Sequence, residues 1–227
     1  MAPKIAFVGA GSIGFTRKLV ADLLAVPELR ASELVFMDID EQNLSRVEQL
    51  VARDLEANDL PASMLHATTD RREAVRDADY VFSTVRIGGL EAFESDIEVP
   101  LRFGVDQCVG DTLSAGGIMY GQRNIPFLLD LSRDIREVAS PDCLFMSYAN
   151  PMAMNVWAAH HFGGVRVVGL CHGVQGGHEL IARIFSIPPE ELHYVCAGIN
   201  HQTWYTRLVY RGEDLTVYGD DKLLDFL

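Results

Sequence analysis

The chain has 227 residues, of which 48% are hydrophobic and 22% charged, and it carries 32 acidic against 19 basic side chains for a formal net charge of −13. That length buries a sizeable core, as one large domain or as one domain and part of another. A surface of this sign repels a phosphate backbone and anionic lipid headgroups, so no nucleic-acid partner and no membrane partner is expected, and no apolar run approaches the ~18 residues of a membrane span.

Apolar, β-rich runs alternate with segments of helical period, the pattern of βαβ units wound around a parallel sheet. Strands are predicted near Lys4–Gly9, Leu34–Ile39, Met64–Thr68, Tyr80–Val85, Leu144–Ala149 and Arg166–Leu170. A helix is predicted over Ile13–Ala25, with Leu19, Val20, Leu23 and Leu24 on its buried face. A second runs over Glu41–Ala57, with Leu44, Val47, Val51 and Leu55 inward and Asp40 as its N-cap. A third, around Gly121–Val138, leads into the fifth strand. The pattern changes after about Gly173: His178–Phe185 reads as a helix, Tyr194–Ile199 and Thr203–Tyr210 as strands, and the segment from Asp220 as a helix just begun. The boundary is therefore placed after residue 172, with a nucleotide-binding domain over 1–172 and the start of a substrate- and metal-binding domain over 173–227.

The first strand runs straight into Gly9-Ala10-Gly11-Ser12-Ile13-Gly14 and then a helix. This is G-x-G-x-x-G in the context that gives it meaning. Gly9 permits the tight turn, Gly11 lets a pyrophosphate approach the backbone, Gly14 is expected to allow close helix–strand packing, and the helix N-terminus takes the phosphate charge. The second strand ends in Asp38, about 20 residues past the last glycine, where an acid meets the adenine ribose hydroxyls and repels a 2′-phosphate. The fold class expected is thus α/β, a Rossmann-type doubly wound, mostly parallel sheet followed by the start of an α+β domain. The cofactor is expected to be NAD, held by Gly9, Gly11, Ser12, Ile13, Gly14, Asp38 and Thr84. The blander alternative for Asp38 is a helix cap.

In open α/β sheets, ligands bind outside the carboxyl ends of the strands. Polar clusters fall there: Thr84-Val85-Arg86 after strand four, Asn150-Pro151 after strand five, Cys171-His172-Gly173 after strand six, and Asn200-His201 after a later strand. Cys171 and His201 offer a thiol and an imidazole to a divalent transition metal, although a lone Cys or His is more often structural. The four cysteines, Cys108, Cys143, Cys171 and Cys196, form no C-x-x-C pair, which argues against a zinc ribbon or a disulfide scaffold and fits a reducing cytoplasm. Cys108, Cys143 and Cys196 are read as structural, and His160, His161, His178 and His193 as structural or surface residues. The N-terminus shows no secretion signal.

Taken together, Gly9-Ala10-Gly11-Ser12, Met37-Asp38-Ile39-Asp40, Gly110-Asp111-Thr112, Gly116-Gly117-Ile118, Asn150-Pro151, Cys171-His172 and Gly198-Ile199-Asn200-His201 resemble glycoside hydrolase family 4, the NAD- and metal-dependent glycosidases, across essentially the whole chain. The family departs from the two-carboxylate route to glycoside hydrolysis. The resemblance implies a redox elimination: hydride leaves sugar C3 for NAD, the resulting ketone acidifies the C2 proton, loss of that proton expels the aglycone from C1, water adds, and the hydride returns. It further implies that Cys171 and His201 hold the metal, Mn²⁺ or another divalent transition ion, that Asn150, Arg86 and Asn200 contact the sugar, and that His172 assists the leaving group or binds the sugar. Relatives acting on 6-phosphosugars have Asp or Asn where this chain has His172, which points to an unphosphorylated α-glycoside. An α-galactosidase is expected, with α-galacturonidase and α-glucosidase as alternatives, acting as a homo-oligomer on a small sugar substrate. Family members are about twice as long and the tyrosine serving as C2 base lies past residue 227, so residues 1–227 alone are expected to bind NAD without turning over. The rival readings are a plain NAD-dependent hydroxy-acid or polyol dehydrogenase and a non-catalytic NAD-binding module.

Overall fold

A computed structural model of the chain describes residues 2–107, 109–199 and 201–216. These divide into two compact units, one ending at Leu170 and the other starting at Cys171, two residues before the boundary expected from sequence.

The first unit is built on six strands: β1 (Lys4–Val8), β2 (Glu33–Met37), β3 (Leu65–Thr68), β4 (Tyr80–Ser83), β5 (Leu144–Ser147) and β6 (Val167–Gly169). Every pairing is parallel and the order is β3-β2-β1-β4-β5-β6, the arrangement of a dinucleotide-binding fold. Strand side chains alternate between faces, and here each face has its own helices. Ile5, Phe7, Leu34 and Phe36 pack on one side against α1 (Ile13–Ala25) and α2 (Glu41–Ala57), meeting Val20, Val47, Val51 and Leu55. Ala6, Val8, Val35 and Phe145 point the other way, onto α3 (Arg71–Val75), α5 (Ser114–Val138) and α6 (Met152–His161). A further helix, α4 (Gly89–Arg102), precedes α5.

The inward face of α2 is the one its period predicts, with Leu44, Val47, Val51 and Leu55 all buried. On α1 only Val20 of the four expected residues is fully buried, while Leu19, Leu23 and Leu24 are half-exposed. The helix expected from Gly121 begins at Ser114. Its glycine-rich first turns resemble a loop in sequence because glycine costs about 1 kcal/mol in a helix. Packing explains them: a Cβ on Gly117 would come within 2.8 Å of the Thr112 carbonyl oxygen.

The second unit contains α7 (Gly173–Ile184) and an antiparallel sheet of β7 (Leu192–Ile199), β8 (Gln202–Tyr210) and β9 (Glu213–Asp214). Ala182, Leu192 and Leu208 form its small core, with Tyr194 and Tyr205 against them. The helix expected from Asp220 lies outside the described residues, as do Cys108 and Asn200. No helix among the described residues is long and apolar enough to cross a membrane.

Candidate functional site

The direction of the strand order reverses at β1, so a crevice opens between the carboxyl ends of β1 and β4. The glycine turn fills its lower edge. The Gly9 and Ala10 N–H groups both donate to the Met37 carbonyl at 2.9 Å, tying the turn to the end of β2. Gly9 has φ +90°, and Thr84 closes the other side by donating its hydroxyl to the Gly9 carbonyl at 2.8 Å. Ser12 sits at the N-cap of α1 with its side chain unused for capping, and Ile13 follows, partly exposed. Their backbone N–H groups belong to the unsatisfied first turn that suits an anion.

Asp38 is held by two backbone donors, Gly11 N–H at 2.7 Å and Asp40 N–H at 3.0 Å. Capping of α2 falls to Asp40, which accepts from Asn43 N–H at 2.9 Å, leaving Asp38 at the rim of the crevice. The carboxylate also explains Gly11, where a Cβ would lie 2.7 Å from Asp38 Oδ2. Gly14 corrects an expectation. Nothing lies within 4 Å of where its Cβ would be, so it does not serve close helix–strand packing. It faces outward into a cleft lined by Arg17, Leu24 and Asp54, because the α1 face that meets the sheet is the one carrying Thr16 and Val20.

A second cluster lies at the ends of β4 and β5 in the same unit. The Arg86 guanidinium sits 4.5 Å from the ring centroids of both Phe93 and Tyr120. Its Nη2 is 3.7 Å from Asp111 Oδ2, and its Nη1 is buried with no hydrogen-bond partner among the described residues. Asn150 donates from Nδ2 to the same Asp111 oxygen at 2.9 Å. Asn124 of α5 holds both loops, donating to the Asn150 carbonyl at 2.9 Å and accepting from Ile87 N–H at 3.3 Å. Asn150–Pro151 is a cis peptide. Burial pushes the Tyr120 phenol above its ordinary range, against a hydrogen bond with Asn124 and the positive charge of Arg86. Arg123 pairs through both terminal nitrogens with Asp96, whose Oδ1 it reaches at 2.9 Å, while its Nε is buried without a partner among the described residues. The structure thus joins Arg86 and Asn150 through three residues to which the sequence assigned no role: Asp111, Tyr120 and Asn124. Asp111 had a signal, since it stands inside the Gly110-Asp111-Thr112 motif. Neither of the other two had a signal of this role: Tyr120 precedes the helix expected from Gly121, and Asn124 lies within it.

In the second unit Cys171 and His201 converge on the start of α7. A Cβ built on Gly173 would lie 3.5 Å from Cys171 Sγ and 4.0 Å from His201 Cδ2, and Gly173 N–H donates to Cys171 Sγ at 3.4 Å. Among the described residues no third His, Cys, Asp or Glu joins them as a metal-binding group. His172 lies at the N-cap of α7 without capping it through its side chain, and its ring is exposed. The cysteines read as structural differ: Cys143 is 5% exposed and burial pushes its thiol up to about 11, whereas Cys196 is only half-buried. His178 is a structural residue, its Nε2 3.0 Å from the Leu192 carbonyl and its ring against Tyr194.

The model of the family described as "Family 4 glycosyl hydrolase" matches residues 4–187. The chain belongs to the family 4 glycosyl hydrolases. An α-galactosidase of Rhizobium meliloti (strain 1021) is 56% identical over 221 residues, covering 97% of this chain and 44% of the relative. Among solved structures, a 6-phospho-α-glucosidase from gut microorganisms in complex with NAD and glucose-6-phosphate superposes with a TM-score of 0.86 at 29% identity, over 99% of this chain and 50% of that one. A further 6-phospho-α-glucosidase, in complex with NAD and Mn²⁺, gives 0.83 at 27% identity, over 95% and 49%. This family 4 chain spans about half the length of the curated relatives it matches.

Proposed function

We propose that the protein is an NAD- and metal-dependent glycosidase that cleaves unphosphorylated α-galactosides by redox elimination and addition. One observation carries the reading: a chain of a glycosidase family devotes its first unit to a complete dinucleotide turn with an acid at the ribose position. A hydrolase relying on two carboxylates has no use for that turn.

Bound here, NAD supplies an oxidant for a sugar carbon, and a divalent metal supplies a Lewis acid for the oxygens beside it. The residues divide the remaining work. The turn from Gly9 to Gly14, with Ser12 and Ile13 opening α1, receives the pyrophosphate on backbone N–H groups. Asp38 takes the ribose hydroxyls, and Thr84 keeps the turn closed. Cys171 and His201 fit a divalent transition metal: a thiol and an imidazole meet beside a residue with no side chain to block them. Remaining ligands come from outside the described residues, substrate oxygens among them. Arg86, Asn150 and Asn200 bind the sugar, and His172 serves the leaving group. The protein works as a cytoplasmic homo-oligomer.

The test is turnover of an aryl α-galactoside by the full-length protein in D₂O with NAD, Mn²⁺ and a thiol reductant. Deuterium at C2 of the released galactose is expected, with no net NADH, whereas a plain dehydrogenase would release NADH with each turnover. Cleavage that persists without NAD, or product carrying only hydrogen at C2, would overturn the reading.

A further inference from the structure

A side-chain amide presents either its oxygen or its nitrogen to a neighbour, and the choice fixes whether its other end accepts or donates. For Asn150 the neighbour decides. Its Nδ2 faces Asp111 Oδ2 at 2.9 Å. A carboxylate only accepts, so the reversed amide would set two acceptors against each other. The partner is itself immobilised: Arg86, clamped between the Phe93 and Tyr120 rings, stands beside the same Asp111 oxygen. The backbone has no freedom to compensate, because Asn124 holds the Asn150 carbonyl and Asn155 donates to the Ala149 carbonyl at 3.0 Å. Asn124 and Asn155 are 2% and 1% exposed. One group is left to meet a ligand, Asn150 Oδ1, because the unpartnered Arg86 Nη1 is itself buried.

We propose that Asp111 is a positioning residue that sets the polarity of sugar recognition. It turns Asn150 so that Oδ1 accepts from a sugar hydroxyl, while its charge answers that of the neighbouring Arg86. The charges select the ligand class as well. Asp111 balances Arg86 and Asp96 balances Arg123, so neither cation is left over for a carboxylate or phosphate, and the cluster suits a neutral sugar ring. This inference rests on the glycosidase reading for its substrate, and on geometry alone for the orientation of the amide.

Two variants test it in the full-length protein loaded with NAD and Mn²⁺. In Asp111→Asn, the new amide at position 111 donates as well as accepts, so Asn150 loses its imposed orientation. In the exchange Asp111→Asn with Asn150→Asp, the carboxylate at position 150 accepts from the amide at position 111 and keeps one oxygen outward as an acceptor. The single variant should lower kcat/KM for an aryl α-galactoside by about 10- to 100-fold, the effect of one misdirected charged hydrogen bond. NAD affinity should stay within about twofold, and the exchange should recover at least about tenfold of the loss. A single variant as active as wild type, or an exchange no better than the single variant, overturns the proposal. A readout without substrate separates it from the glycosidase reading. In the 227-residue chain, the Asn150 side-chain NH₂ resonances should be protected from water exchange and lose that protection in Asp111→Asn. Unprotected resonances in the wild-type chain overturn the proposal whatever the activity. Protected resonances together with absent galactoside cleavage overturn the glycosidase reading and leave the orientation standing.

Discussion

Replacing Asp38 by alanine removes two acceptors at once, the one that holds Gly11 N–H at 2.7 Å and the one that holds Asp40 N–H at 3.0 Å. The consequences for NAD and NADP separate. Loosening the Gly11 turn weakens pyrophosphate binding, which the two cofactors share. Losing the contact to the 2′-hydroxyl affects NAD alone, and losing the negative charge relieves the repulsion that a 2′-phosphate meets there. A hydrogen bond to a charged group contributes about 1.5–3 kcal/mol, so NAD should bind about 10- to 150-fold more weakly. NADP should lose clearly less. Asp38→Asn serves as the control: it keeps one accepting oxygen and the size of the side chain while removing the charge, so it should retain more of the turn and still narrow the preference for NAD. Calorimetric titration of each cofactor into the chain and its two variants, at fixed salt, measures this. Equal losses for NAD and NADP in Asp38→Ala would refute the reasoning and leave Asp38 as a brace for the turn.

Cys171→Ser should abolish metal-dependent turnover in the full-length protein while leaving NAD affinity and thermal stability nearly intact, and a variant that keeps its metal but loses stability would make Cys171 structural. Gly14→Ala should raise Tm by a few degrees, because the site is open, lies in the first turn of α1 and gains the ~0.5–1 kcal/mol advantage of alanine in a helix; a fall in Tm would restore a packing role. The buried Cys143 thiol, raised from 9.0 to about 11 by burial, is favoured neutral in the folded state. Its contribution is complete below about pH 9 and lost as pH climbs toward 11, on the order of 2–3 kcal/mol in all. Urea unfolding between pH 8 and pH 11 should show that loss in wild type and a flatter curve in Cys143→Ala, and identical slopes would assign the alkaline loss to other groups.

Most of the first unit was legible because its signals are local. A helix such as α2 repeats one apolar face over four turns, so Leu44, Val47, Val51 and Leu55 announce both its existence and its inward side. The glycine turn is legible for the same reason: strand, turn and helix adjoin in sequence. Elements whose conformation is imposed from a distance were not legible. α4 starts on two glycines and contains Pro100, and α5 starts through glycines that only the approach of Thr112 explains. Propensity alone reads both segments as loop. Gly14 shows the reverse error. It fits the fingerprint by position, yet the α1 face it occupies turns away from the sheet, which the spacing of glycines does not encode.

The candidate site divides along the same line. Residues at strand ends are found by knowing where strands stop, which is how Thr84, Arg86, Asn150 and Cys171 come to attention. Their chemistry depends on partners that no strand end supplies. Asp111 lies in the connection between α4 and α5, 39 residues from Asn150 along the chain, and reaches it only because β5 ends beside that connection. Without Asp111, Asn150 is an amide of undetermined orientation and Arg86 an uncompensated cation between two rings. With it, the amide presents an acceptor, and the carboxylate and guanidinium together carry no net charge toward a ligand. A residue type at the right strand end therefore names what a site can do, while its long-range neighbour decides which of those things it does. For that reason exchanging Asp111 with Asn150 tests the site more sharply than deleting either: deletion alone cannot tell a ligand contact from a brace, whereas recovery on exchange follows only if orientation is what Asp111 contributes.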